Sequence, residues 1–174
     1  WSMEQDVAMI KGPYGFTNLD KSALLIEGFD HLGAMGTIYN HPYYKSHLEH
    51  NGYEKLVDYM EYEFFVPDGP SDRLNRLVDL IAKRYDVRTA QFSGRSGLMK
   101  HSQGIFKLMN KAYDPIEGFV PFPMKWIEQY SQKFMRFLKP QYVSIVLDSS
   151  DEVVGFGISL PSFSKALQKS KGKM

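Results

Sequence analysis

Three histidines and two tyrosines crowd one short stretch of this 174-residue sequence: His41, Tyr43, Tyr44, His47 and His50, with Glu49 between the last two histidines. His47 and His50 stand three apart, so on a helix they would share a face and could share a metal. Zinc takes three or four ligands, however, and no further ligand pair accompanies them. Spacing alone is a weak warrant, and a polar helix surface is the reading adopted. A tyrosine phenol at Tyr43 or Tyr44 could donate a proton to a leaving group, although aromatic residues on helices more often serve packing. A second cluster, Asp148, Asp151 and Glu152, falls between two apolar runs. It lacks the glycine and spacing of a calcium loop and fits turn chemistry. A third candidate, Ser93-Gly94-Arg95-Ser96-Gly97, reads as a loop whose glycines and arginine could dock a phosphate, or as a plain connection. Nothing resembles a serine nucleophile elbow, and no metal is expected.

Composition narrows the setting. An apolar fraction of 43% and an aromatic fraction of 14% exclude a disordered chain. The net charge of +1 argues against a dedicated nucleic-acid binder, which concentrates cations against phosphates. It leaves room for a small phosphorylated ligand. With no cysteine, disulfides, thiolate metal sites and thiol nucleophiles are unavailable. No apolar run approaches the roughly 20 residues of a membrane span, and no signal peptide opens the chain. A cytoplasmic location and no membrane partner are the expectation. The sequence starts at Trp1 and stops at Met174 in a lysine-rich stretch, which reads as a piece of something longer.

The elements that must position these residues follow from pattern and punctuation. Residues Trp1 to Gln5 read as a closing helical turn, Val7 to Lys11 as a strand ended by Gly12-Pro13, and Lys21 to Glu27 as a short helix. Asn40 is a good N-cap for a helix with Pro42 in its first turn, Tyr44 and Leu48 on one face, and Gly52 as its stop. Leu56 to Val66 reads as a strand with Leu56, Met60, Tyr62 and Phe64 on one face and Asp58 as its lone charge. Pro67-Asp68-Gly69-Pro70 marks a boundary. Ser71 or Asp72 then caps a helix striped by Leu74, Leu77, Val78 and Ile81. Val87 to Phe92 reads as a strand, Ile105 to Ala112 as a helix, and Met124 to Leu138 as another, stopped by Pro140. Tyr142 to Leu147 and Val153 to Leu160 form a hairpin about the acidic turn. The tail beyond Pro161, with Lys165, Lys169, Lys171 and Lys173, reads as solvated. The fold class is therefore mixed α/β of the α+β kind.

The stretch Asn40-His41-Pro42-Tyr43-Tyr44-Lys45-Ser46-His47-Leu48-Glu49-His50-Asn51-Gly52-Tyr53, with the strand after it, resembles the closing helix and strand of GNAT acyltransferases. The second half resembles the opening of that fold, a strand leading into two helices and a hairpin. Asn110-Lys111-Ala112-Tyr113, Gly118-Phe119-Val120-Pro121, Gly155-Phe156-Gly157-Ile158 and Lys165-Ala166-Leu167-Gln168-Lys169 look like parts of a bacterial branch with two such modules in one longer chain. Gly12-Pro13-Tyr14-Gly15-Phe16-Thr17 and Ile26-Glu27-Gly28-Phe29-Asp30 resemble its first module.

This resemblance implies a GNAT-like acyl-CoA N-acyltransferase fold, a central, mostly antiparallel sheet flanked by helices. Residues 1–70 would be the C-terminal half of one module, and 71–174 a linker helix with the N-terminal half of a second. The implied reaction moves an acyl group from acetyl-CoA or another acyl-CoA to a small-molecule amine. The alternative is a non-catalytic binding or scaffold protein that kept the fold. Family members hold the coenzyme's pyrophosphate on a glycine-rich loop at a helix N-terminus. Gln168-Lys169-Ser170-Lys171-Gly172-Lys173 mimics that loop only vaguely, because Lys171 and Lys173 stand where glycines belong. The family's acid is a tyrosine four residues before the closing glycine, where this chain has Leu48. Tyr44, one turn earlier, becomes the candidate catalytic residue, with Tyr43 beside it. Open sheet edges invite a homodimer.

Overall fold

The structure, a computed structural model, describes residues 2, 4–16, 20–34, 36–116, 119–135 and 138–171. The chain divides into two units, Trp1–Tyr62 with Pro161–Met174, and Glu63–Leu160.

In the first unit, turns outnumber ladders. The amides of Gln5 and Val7 both donate to Ser2 O, at 3.2 and 3.1 Å, giving one turn near the expected position; Trp1 and Met3 lie outside the described residues. The strand expected at Val7 to Lys11 does not form. A strand needs a hydrogen-bonding neighbour, and 7–11 enter no ladder among the described residues, leaving Val7, Met9 and Ile10 exposed. Nor is there a helix at Lys21 to Glu27. Ala23 sits at φ 72°, where an L-residue ends a right-handed helix, and its amide donates to Pro13 O at 2.8 Å.

Helix α1, Tyr43–His50, starts later than Asn40. Pro42 occupies the N-cap position, without a side-chain cap. The C-terminal stop is as the sequence indicates. Gly52 takes φ +81°, its amide donates to Glu49 O at 3.0 Å, and the amide of Tyr53 reaches back to Leu48 O at 3.1 Å. These two bonds make a Schellman motif, and the left-handed residue at its centre suits glycine. Beyond it, the expected strand from Leu56 to Val66 is not formed. Residues 53–66 are exposed throughout and lie in no ladder among the described residues, with Phe65 98% exposed. The tail is more ordered than expected, since Ser164–Lys169 forms a helix (α6 in chain order) with Lys165 and Lys169 in solvent.

The second unit contains the core. Helix α2, Asp72–Tyr85, is capped by Ser71, whose Oγ accepts from Leu74 N at 3.3 Å, and closes on Asp86 in the left-handed region at φ 49°. Its stripe of Leu74, Leu77, Val78 and Ile81 is where the periodicity puts it, yet no residue of α2 is buried. Strand β1 is Arg88–Thr89, much shorter than the Val87 to Phe92 expected. Helix α3, Gly94–Lys100, replaces the expected loop at Ser93 to Gly97. Helices α4, Ser102–Tyr113, and α5, Met124–Met135, lead through a 3₁₀ turn at Pro140–Tyr142 to strands β2, Val143–Leu147, and β3, Val153–Ile158. The three strands form one antiparallel sheet in the order β1-β2-β3. Ile145 pairs with Phe156 and Val143 with Ile158, and a register shift follows Val146. The fold is thus mixed α and β, with a small antiparallel sheet and helices.

Alternation along β2 directs Val143, Ile145 and Leu147 inward. They meet Leu98 of α3 and Ile105 of α4 in one buried cluster; Ile145 and Leu98 are 0% exposed. A second cluster joins Phe106 and Met109 of α4 to Phe122 and Ile127, and Phe156 of β3 packs against both. Asn110 fastens the approach to α5. Its Nδ2 donates to Phe122 O at 3.0 Å and its Oδ1 accepts from Phe122 N at 2.9 Å.

Helix α4 approaches the hairpin through Gly104, where an added Cβ would lie 2.6 Å from Val153 Cγ2. Alanine is favoured over glycine inside a helix by about 1 kcal/mol, but this contact forces the hairpin away. Gly104→Ala is expected to destabilise the protein by about 1–3 kcal/mol in urea unfolding. Gly157→Ala, with nothing within 4 Å of the new methyl, is the control and should change stability little.

Candidate functional site

The histidine and tyrosine stretch lies at the start of α1, and the segment before it determines how it is presented. Asn40 does not cap the helix. Its Oδ1 accepts from Leu25 N at 2.8 Å and its Nδ2 donates to Leu25 O at 3.1 Å and His41 O at 3.0 Å. The side-chain amide therefore imitates a neighbouring strand for Leu25 and ties the 20–34 segment to the entrance of α1. Sequence reasoning assigned Asn40 the wrong task because capping is judged locally, whereas its partner lies fifteen residues away.

From that anchor the aromatic rings run in sequence. Phe29 meets Tyr39 edge-on at 6.4 Å between centroids, and Tyr39 meets His41 at 6.5 Å. The His41 ring stacks on Tyr43 at 5.6 Å with only 8° between the planes. Tyr43 in turn touches Tyr44 at 5.1 Å and His47 at 5.2 Å. Tyr43 is thus the hub, contacting both histidines and the candidate acid. Tyr44 is 45% exposed on the first turn, with its amide donating to His41 O at 3.1 Å. Leu48, one turn on, is half-buried and has no proton to give. Pattern reading singled out Tyr44 but missed Phe29 and Tyr39, whose distance along the chain hides their place in the row.

Each of the three histidines touches a neighbouring residue. His41 and His47 pack on Tyr43, and His50 Nδ1 donates to Ser46 O at 2.6 Å. Among the described residues, no group of three His, Asp or Glu is placed to hold a metal ion. Lys45 lies 3.9 Å from Glu49, one turn apart on the surface.

The remaining candidates resolve into structure. Asp148 Oδ1 accepts from Ser150 N and Glu152 N, each at 2.9 Å, while Asp151 sits at φ 63° and pairs with Arg88. This is turn chemistry, as the sequence suggests. The expectation of a connecting loop at Ser93 to Gly97 gives way to α3, where Gly97 is needed for packing. A Cβ there would lie 2.9 Å from Phe92 Cβ. Gln168 and Lys169 end α6, and Gly172 and Lys173 lie outside the described residues. Along α2, Arg76, Asp79, Leu80, Lys83 and Arg84 line a depression of about 590 Å³, open because one helix supplies every wall. Among the described residues, no helix is long and apolar enough to cross a membrane.

Comparison with known proteins adds one relative. The chain is similar to Protein YghO of Escherichia coli (strain K12), with 25% identity over 175 residues, covering 100% of this chain and 44% of that protein. The chain spans less than half the length of that relative. No family model and no solved structure matches.

The Asn40 tie gives a local test. Asn40→Ala removes three hydrogen bonds, and a part-buried amide left without its partner costs about 1–3 kcal/mol. Faster hydrogen exchange is expected at Leu25 and through α1, with exchange in β2 and β3 unchanged.

Proposed function

We propose that this chain carries the acyl-transfer architecture of a GNAT-type N-acyltransferase, moving an acyl group from acetyl-CoA or another acyl-CoA to an amine. The carrying observation is the row of Tyr39, His41, Tyr43 and Tyr44 at the mouth of α1, whose far end closes on Gly52. The order β1, α3, α4, α5, β2, β3 supports the same reading for the second half, with one helix more than the sequence suggested.

In this reading the neutral amine attacks the thioester carbonyl. A carbon–nitrogen bond forms, the carbon–sulfur bond breaks, and the amine gives up a proton to water, from which the donating phenol later recovers its own. The departing thiolate takes a proton, and Tyr44 is the group assigned to supply it, with Tyr43 holding its ring from the side. The balance requires no metal. Leu48 favours a second reading. At the position where the family carries its acid, a leucine is chemically silent, which suits a protein that binds through this fold without turnover.

Thiol release separates the two. The 174 residues contain no cysteine, so thiol appearing from acyl-CoA is not masked by their own side chains. In the natural polypeptide that carries this sequence, acyl-CoA with a panel of amines should release thiol. Tyr44→Phe should lower that rate by about 10²–10⁴-fold while leaving the binding heat of acyl-CoA intact. Binding without thiol release would establish the second reading. The 174 residues taken alone should bind acetyl-CoA more weakly than micromolar, because Lys171 and Lys173 stand where the coenzyme's phosphate loop would carry glycines.

A further inference from the structure

Residues 53–66 combine strand-forming sequence with complete exposure. Tyr53, Leu56, Val57, Tyr59, Met60, Tyr62, Phe64, Phe65 and Val66 are apolar or aromatic, and none is buried. Apolar residues stand at both parities, as in a strand covered on both faces, and an extended segment with such composition is a template for pairing. Its charges indicate with what. Glu54, Asp58, Glu61 and Glu63 are balanced by Lys55 alone, so a partner strand must place an acid opposite that lysine and avoid acid opposite acid.

Antiparallel pairing with the same segment of a second copy meets both conditions over the long overlap 53–65 when Tyr59 lies on the axis. With Tyr59 opposite Tyr59, Lys55 faces Glu63 and lies diagonal to Glu61, twice by symmetry. Tyr53 then faces Phe65 and Leu56 faces Tyr62. Neighbouring registers fail. Moving the axis to Asp58 sets Asp58 against Asp58, and moving it to Met60 leaves Lys55 opposite Phe65. The half-steps between set Glu54 against Glu63, or Asp58 against Glu61. Like charges directly opposite destabilise a strand pair and opposite charges support it. We propose that residues 53–65 pair antiparallel with the same residues of a second copy of this chain, Tyr59 lying on the two-fold axis. With Tyr59 at a non-hydrogen-bonded position, the two rings meet where cross-strand side chains are nearest. Lys55 then exchanges its exposed contact with Asp58, at 2.9 Å, for Glu63 of the second copy. This inference does not depend on the acyl-transfer reading.

The cysteine-free sequence makes the register directly testable. Under mild oxidation, Tyr59→Cys should give a disulfide-linked dimer. Val57→Cys and Glu61→Cys should each stay unlinked alone but crosslink when mixed, because 57 faces 61 across the axis. In sedimentation equilibrium, Lys55→Glu should weaken dimerisation about tenfold or more, from two reversed pairs. Lys55→Glu combined with Glu63→Lys should restore it. A monomer at every concentration, or crosslinking of Val57→Cys with itself in preference to Tyr59→Cys, overturns the proposal; the first outcome would mean that a different strand covers this segment.

Discussion

The second unit depends on the way β2 is enclosed. Ile145 has β1 on one side, β3 on the other, and Leu98 with Ile105 above it. A fully buried aliphatic side chain contributes about 1.5–3 kcal/mol relative to exposure, so the inward side chains of β2 are a concentrated source of stability in this unit. The remaining elements are arranged to keep that strand covered. The Asp148 turn brings β3 back alongside β2, and the absence of a side chain at Gly104 lets α4 lie against it. Phe156 extends the same surface to Phe106 and Ile127, so the two clusters are joined at the hairpin.

Among the described residues, no buried cluster of that kind organises the first unit. Its order comes from side chains that substitute for secondary structure. Asn40 bonds Leu25 as a strand neighbour would, Thr37 Oγ1 donates to the Glu61 carboxylate at 2.8 Å, and Gly52 turns the chain out of α1. Hydrogen bonds of this kind, partly exposed, each contribute about 0.5–1.5 kcal/mol net. They fix local geometry without enclosing a dry interior, and the aromatic row at α1 consequently faces solvent.

What could be read from sequence follows this division. The hairpin, its acidic turn, α4 and the start of α2 were legible because their signals are local: alternation, helical spacing, an N-cap serine. Leu56 to Val66 had an equally clear strand pattern and did not become a strand, because pairing is a property of two segments and pattern describes one. The same reason shortened β1, which pairs with β2 only at Arg88 and Thr89. Ser93 to Gly97 failed differently. Two glycines suggested a loop, but Gly97 is small to make room for Phe92, inside a helix. At the candidate site the offset to Gly52 led to Leu48, and Tyr44 entered only as the phenol one turn earlier, whereas the stacking of His41 and His47 on Tyr43 needed the folded chain.

Helix α2 has both ends capped and no buried side chain, so its helicity rests chiefly on local terms. A helix of this length is only marginally stable in water without packing. Melting of α2 is therefore expected to precede loss of the Ile145 core. Far-ultraviolet circular dichroism would then begin to fall at temperatures where the core is still intact, and a single midpoint would describe neither process.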